Sequence, residues 1–177
     1  MNTELVKSKI VAVQNVIPTI NEFLEKGFDK DYAAQILADY SIILNENIIP
    51  ESKISFLDFF DKNVKLNLSF FGFSLSEQED FEYFTVIGNR DSDLIIVIKK
   101  TNEIALFDQY NSEILGYLAK DFEMFLDLTP VLISYDKLGY LGEEYSTSLK
   151  KNTLKKLKEI LKSKKYYSFF DQSIVCD

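Results

Sequence analysis

Histidine and tryptophan are absent from the 177 residues, cysteine occurs once, and only 3 prolines and 6 glycines punctuate the chain. Without histidine the commonest general base is gone, together with every Ser-His-Asp or Cys-His arrangement and every imidazole metal site. The single cysteine, Cys176, leaves no intramolecular disulfide and no metal site built on thiolates, which fits a reducing compartment. The glycines form neither G-x-G-x-x-G nor G-x-x-x-x-G-K-[ST], Gly139-Tyr-Leu-Gly142 is too short for a phosphate loop, and no G-x-S-x-G occurs. No run approaches the roughly 18 to 20 apolar residues of a membrane span. The stretch Met1 to Asn15 carries an early Glu4 and a four-residue apolar run, too short for the core of a signal peptide. The expectation is a cytoplasmic protein with no membrane segment.

What is present is ordinary globular material with a skewed charge. The chain is 46% hydrophobic and 27% charged, and its 15 Phe and 10 Tyr supply bulky core and contact surface. The net charge of −8 is unevenly spread. Residues 1–148 hold 12 Lys and Arg against 25 Asp and Glu, net −13, whereas residues 149–177 hold 8 against 3, net +5. An acidic body repels phosphate backbones and attracts cationic proteins, so a basic protein partner is expected and a nucleic-acid partner is not.

Tyr83 to Leu128 organises the fold. Three runs rich in β-branched and aromatic residues, Tyr83 to Ile87, Leu94 to Ile98 and Ile104 to Phe107, are separated by polar loops, Gly88 to Asp93 and Lys99 to Glu103. They predict a three-stranded antiparallel meander. The middle run is apolar without alternation, as in a strand covered on both faces, and belongs at the centre of a sheet. Upstream, helical stripes run over Thr3 to Val16, Pro18 to Lys26 (stopping at Gly27) and Lys30 to Leu44 behind an Asp29 cap. Pro50 suits the first turn of a helix reaching about Lys62. Val64 to Phe70 alternates as a half-buried strand, and Gly72 reads as a kink or bulge. Ser74 to Glu82 is acidic enough to expect an exposed loop or strand end. After the meander, Asp121 to Leu128 reads as a helix, and Thr129-Pro130 as the cap and first position of another ending near Gly139. Ser146 or Thr147 opens a basic amphipathic helix to about Lys164, with its lysines on a solvated outer face. Tyr166 to Phe170 adds either a strand or a docked apolar tail.

Several of these stretches resemble the SUKH superfamily. The similarity lies in Ile87-Gly88-Asn89 before the apolar strand, Thr101-Asn-Glu-Ile104 turning into the next, Leu118-Ala-Lys-Asp-Phe-Glu-Met-Phe-Leu126 opening a helix, and Ile49-Pro50 through Phe56-Leu57 to Asn63. It covers roughly residues 48–128. The resemblance implies an α+β domain that binds proteins, as do bacterial immunity proteins against secreted toxins and fungal regulators of cell-wall synthesis. Together with the periodicity it gives one SUKH-like domain over 1–177. Residues 1–47 form a helical cover, 48–128 a core with a mostly antiparallel sheet of about five strands flanked by helices, and 129–177 a C-terminal helical extension.

Carboxylates are the remaining groups able to do chemistry. Asp91-Ser-Asp93 could hold a hard cation through oxygens, but short polar residues are what turns favour in any case, and neither a metal nor another cofactor is expected. Three functions stay open. A non-enzymatic immunity protein would bind a basic toxin, such as a nuclease, directly; a regulatory scaffold would use similar surface features on an endogenous partner. A carboxylate-dependent hydrolase would need a concave site with at least two perturbed acids. For binding, the candidate residues are Glu77, Glu79, Asp80 and Glu82 on the acidic stretch and Asp91 and Asp93 in the following turn.

Overall fold

The computed structural model describes residues 3–44 and 64–176. The helix read from Pro50 to Lys62, and with it the upstream part of the SUKH resemblance, lies outside the described residues.

Among the described residues seven strands form one antiparallel sheet in sequence order: β1 (Tyr40–Leu44), β2 (Val64–Phe70), β3 (Phe73–Asp80), β4 (Phe84–Arg90), β5 (Asp93–Ile98), β6 (Ile104–Asp108) and β7 (Glu113–Ala119). The class is α+β, as expected, with a wider sheet than the five strands read from the sequence. The meander is β4-β5-β6, and β5 stands well inside the sheet with Ile95, Ile96 and Val97 buried.

Two of the extra strands come from stretches read differently. Residues 40–44 continue the helical spacing of Tyr32, Ile36 and Leu37, yet the helix α3 (Lys30–Ala38) stops at Asp39, and Tyr-Ser-Ile-Ile-Leu pairs with β2, Tyr40 opposite Leu68 and Leu44 opposite Val64. The register turns Ile42 into the core and leaves Ile43 exposed. A strand partner decides between two periodicities that five apolar-rich residues satisfy equally. Glu113 to Ala119 forms β7, so Leu118 and Ala119, placed by the resemblance at the opening of a helix, end a strand instead. Ser74 to Glu82 is mostly β3, its first half anchored by the fully buried Phe73 and Leu75.

Gly72 does not kink a strand. Phe70 pairs with Phe73 across a two-residue turn in which Phe71 and Gly72 have φ of 53° and 71°, the left-handed pair that matches the twist of a tight hairpin. Gly88 serves another purpose. The β3–β4 register shifts between Leu75 and Glu79, and at Gly88 the strands approach so closely that a Cβ would lie 2.2 Å from the Ser74 carbonyl oxygen.

The helices α1 (Thr3–Gln14), α4 (Phe122–Tyr140), α5 (Thr147–Leu161) and α6 (Lys164–Cys176) build the main core against one face of the sheet. Asp121 caps α4, its Oδ1 accepting from Met124 N at 2.8 Å, and Phe122, Phe125 and Leu126 turn inward. The helix does not restart at Thr129-Pro130. It runs through Pro130 to Tyr140, with the Thr129 hydroxyl donating to the Phe125 carbonyl at 2.9 Å. Proline removes one backbone donor, but the neighbouring turns are held by a buried apolar face that outweighs the loss. Lys9, buried in α1, ties this helix to α4 through Asp127 and Glu123. The short α2 (Ile20–Glu25), entered through a Thr19–Glu22 capping box, packs with α3 around Phe23 as a satellite cluster.

The basic helix opens at Ser146 and ends at Lys162, which adopts φ of 57°. Leu154, Leu157 and Leu161 face the core while Lys151, Lys155 and Lys156 are exposed. Tyr166 to Phe170 is neither strand nor loose tail. It is part of α6, which docks through fully buried Phe170 and Ile174. No described helix is long and apolar enough to cross a membrane.

Candidate protein-binding site

The antiparallel register fixes where each acidic residue lies. Glu79 and Asp80 end β3, opposite Val86 and Thr85, and Glu82 sits in the tight connection to β4. Asp91 and Asp93 lie at the other end of β4, around the turn where Arg90 pairs with Asp93. Five residue steps of strand separate the two groups, roughly 17 Å at the usual rise. The fold therefore brings Glu79, Asp80 and Glu82 together at one end of the sheet and Asp91 with Asp93 at the other, without merging them. Glu77 lies within β3; its side chain is outside the described ones.

The acids are not equivalent. Asp80 is engaged inside the protein: Lys99 Nζ lies 2.8 Å away and the Thr85 hydroxyl donates to it at 2.8 Å, and these bonds hold its carboxyl below the ordinary range. Its charge is locally balanced. Glu79 and Glu82 are exposed and flank Phe81, 41% exposed, and Tyr83, 71% exposed. The acidic connection is thus also an aromatic one, and exposed tyrosine is a side chain in which interfaces concentrate binding energy. The sequence carried a sign of this in the alternation Phe81-Glu82-Tyr83, which reads more readily as the start of a strand.

At the far end Asp91 takes φ of 54° in an exposed turn, and Asp93 is half-buried. Gln109 Nε2 donates to the Ser92 carbonyl at 2.9 Å, which fastens the β6–β7 turn beside the β4–β5 turn. This brings Asp108 and Glu113 to the same end. Asp108 accepts from the backbone of Asn111 and Tyr110 and from the Asn111 side chain, and these bonds depress its carboxyl. Sequence reasoning missed both residues because β7 was missed.

A carboxylate-dependent hydrolase needs a concave site with at least two perturbed acids. The cavity of about 370 Å³ between α4, α5 and the end of α1 is lined by Val16, Pro130, Ser134, Tyr135, Thr153 and Lys156 among others, with no carboxylate among them. The one above the Lys9–Asp127 pair holds a single acid. Partial burial raises the Asp136 carboxyl above its ordinary range, partly opposed by hydrogen bonds from the Phe71 N–H (3.1 Å) and the Tyr140 hydroxyl. It serves as an acceptor for the strained β2–β3 turn. Among the described residues no group of three or more Cys, Asp or Glu is placed to hold a metal ion.

Comparison of the chain with protein-family models, with curated proteins and with solved structures returns no match.

Proposed function

We propose that this chain is a non-enzymatic binding module of the SUKH kind, an immunity protein that neutralises a secreted bacterial toxin by binding it directly in the cytoplasm. The observation that carries the reading is the Phe81-Glu82-Tyr83 connection, where the exposed rings of Phe81 and Tyr83 stand on either side of the exposed carboxylate of Glu82, with exposed Glu79 two residues before Phe81. The second acidic group, Asp91 and Asp93, lies within reach of the same large partner. A cationic protein would be steered toward this surface, with an association rate that falls as salt rises. A nuclease toxin is the natural candidate, because a cleft built for phosphates is basic.

The test is the charge reversal Glu77→Lys, Glu79→Lys and Glu82→Lys, with stopped-flow association to a basic toxin domain encoded beside this gene. The variant should associate about tenfold more slowly at low salt and lose most of its salt dependence. An unchanged rate with unchanged salt dependence would leave these acids as solvated surface.

A further inference from the structure

The sheet has a second apolar cluster built wholly from strand residues, which the described helices reach at its β7 edge, where Lys165 Nζ of α6 lies 3.8 Å from the Tyr117 ring centroid. Val86, Ile96 and Ala105 are 9%, 3% and 0% exposed, and half-buried Phe84, Leu94, Ile98, Phe107 and Tyr117 pack against them; all belong to β4, β5, β6 and β7. What encloses Ile96 is the register. Phe84 pairs with Ile98 and Leu94 with Phe107, so the two phenylalanines approach Ile96 from opposite directions, and their ring centroids meet 5.5 Å apart. Phe81 continues the row, stacked on Phe84 at 5.0 Å. Ile114, opposite Phe107 and 39% exposed, extends it on β7. The outer surface of this face is therefore a row of aromatic rings.

The row has acid at both ends. Glu79 pairs with Val86 and so projects from the same face, and Glu82 adjoins Phe81. Asp91 and Asp93 lie past the other end. Of the cations near the first end, Lys99 is occupied by Asp80 and Lys165, over the Tyr117 ring, by Glu103, while Lys100 is exposed in the turn after β5. Ring faces with carboxylates at their ends suit a cation whose body is flat and weakly hydrated, which is a guanidinium more than an ammonium. We propose that the Phe81–Phe84–Phe107 row receives arginine side chains of a basic protein partner, with the rings under the guanidinium planes and Glu79 and Glu82 at the rim. A second copy of this chain does not fit. It carries net charge −8, and its single arginine, Arg90, is already stacked on its own Phe71, Phe73 and Phe169 at 5.8, 5.8 and 5.2 Å.

The inference rests on the binding-module reading, and its test separates the two. Nona-arginine and nona-lysine peptides carry equal charge, so both sense the carboxylates but only the first gains from stacking. Titrated into the protein by calorimetry at low salt, nona-arginine should bind about three- to tenfold more tightly. Phe84→Leu and Phe107→Leu should each shrink that preference, with circular dichroism checking the fold. Phe81→Leu, at an exposed position, gives the same readout should either inner variant fail to fold. Equal affinity of the two peptides for the native protein, or a preference that survives all three ring changes, would overturn the aromatic receptor. If charge reversal at Glu79 and Glu82 weakens both peptides while no arginine preference exists, acidic steering stands and this inference falls.

Discussion

Neighbouring residues on β5 are buried by different means. Ile95 and Val97 face the helices and share a core with Phe125, Leu157 and Phe170, whereas Ile96, between them, is enclosed by rings from the flanking strands. Similar low exposures on the two faces therefore conceal unequal constraint. A helix docked on a sheet is fixed by many simultaneous contacts, while two phenylalanine rings can swing about their own side-chain bonds. The helix-covered face is where stability should reside, and the ring-covered face is free to serve recognition.

The strongest way to break this contrast is to place a charge on each side of β5. Ile95→Asp should prevent folding, since an unpaired carboxylate under the helices costs more than a small domain can spare. Ile96→Asp should also cost several kcal/mol, about 3, but less than its neighbour because Phe84 and Phe107 can move aside and admit water. Urea unfolding midpoints decide the matter. Equal losses would mean both faces are equally closed, and an unchanged melting curve for Ile96→Asp would remove β5 from the sheet interior.

Gly88→Ala tests the frame both faces share. The added methyl meets backbone, with the Ser74 oxygen at 2.2 Å and Leu75 Cα at 3.0 Å, so the β3–β4 pair must shift, at a cost of about 2 kcal/mol. At Gly139 the nearest contacts are side-chain atoms, the Tyr145 hydroxyl at 2.1 Å and Cζ at 2.9 Å, on a ring stacked against Tyr135; because a side chain and not a paired strand must shift, alanine there should cost less. Thermal melts of the two variants should rank in that order.

A smaller effect sharpens the comparison through pH. The helix-covered side contains a half-buried carboxylate, Asp136, whose folded-state pKa is raised chiefly by its partial removal from water. The folded protein then holds that proton more tightly than the unfolded chain does. The associated stability is fully present below the ordinary carboxylate pKa, about 4, and is lost as pH rises through the folded value. Asp136→Asn keeps an oxygen for the Phe71 N–H and removes the charge. It should flatten this part of the pH dependence and melt at or above the native temperature at pH 7; a lower melting temperature there would show that the ionised form supports the turn. The smallest effect belongs to the other face, where Glu79→Lys with Glu82→Lys should move stability by no more than about 0.5 kcal/mol.

The architecture was legible where hydrophobic period and turn chemistry agreed. Asp29 is the cap its position suggested, the helices read as opening at Asp121 and at Ser146 or Thr147 begin there with Asp121 and Ser146 as caps, and the alternation of Val64 to Phe70 made β2. It was illegible where local signals compete with distant partners. Tyr40 to Leu44 fits a helix until β2 is present to pair with it. Glu113 to Ala119 hides its strand because the register shifts between Ile104 and Ala105 and between Leu106 and Phe107 disturb the two-residue period. The acidic candidates were visible as composition, but their division into two groups depends on register. That Asp80 is held by Lys99 and Thr85 while Glu79 stands free depends on contacts across the sheet. The aromatic row was invisible for the same reason, since Phe81, Phe84 and Phe107 converge only once β5 lies between β4 and β6.

The unbroken strand order of the sheet has a kinetic consequence. From β2 to β7 each strand pairs with the next one along the chain, through connections of a few residues, so these pairings close short loops. Loop closure of that size is fast and costs little entropy, and proteins dominated by such contacts fold quickly for their sheet content. The long-range steps are the joining of β1 to β2 and the docking of α1 against α4, more than a hundred residues apart. A refolding experiment should therefore show the meander gaining amide protection first and α1 last, so that the ring-covered face exists before the helical side is sealed.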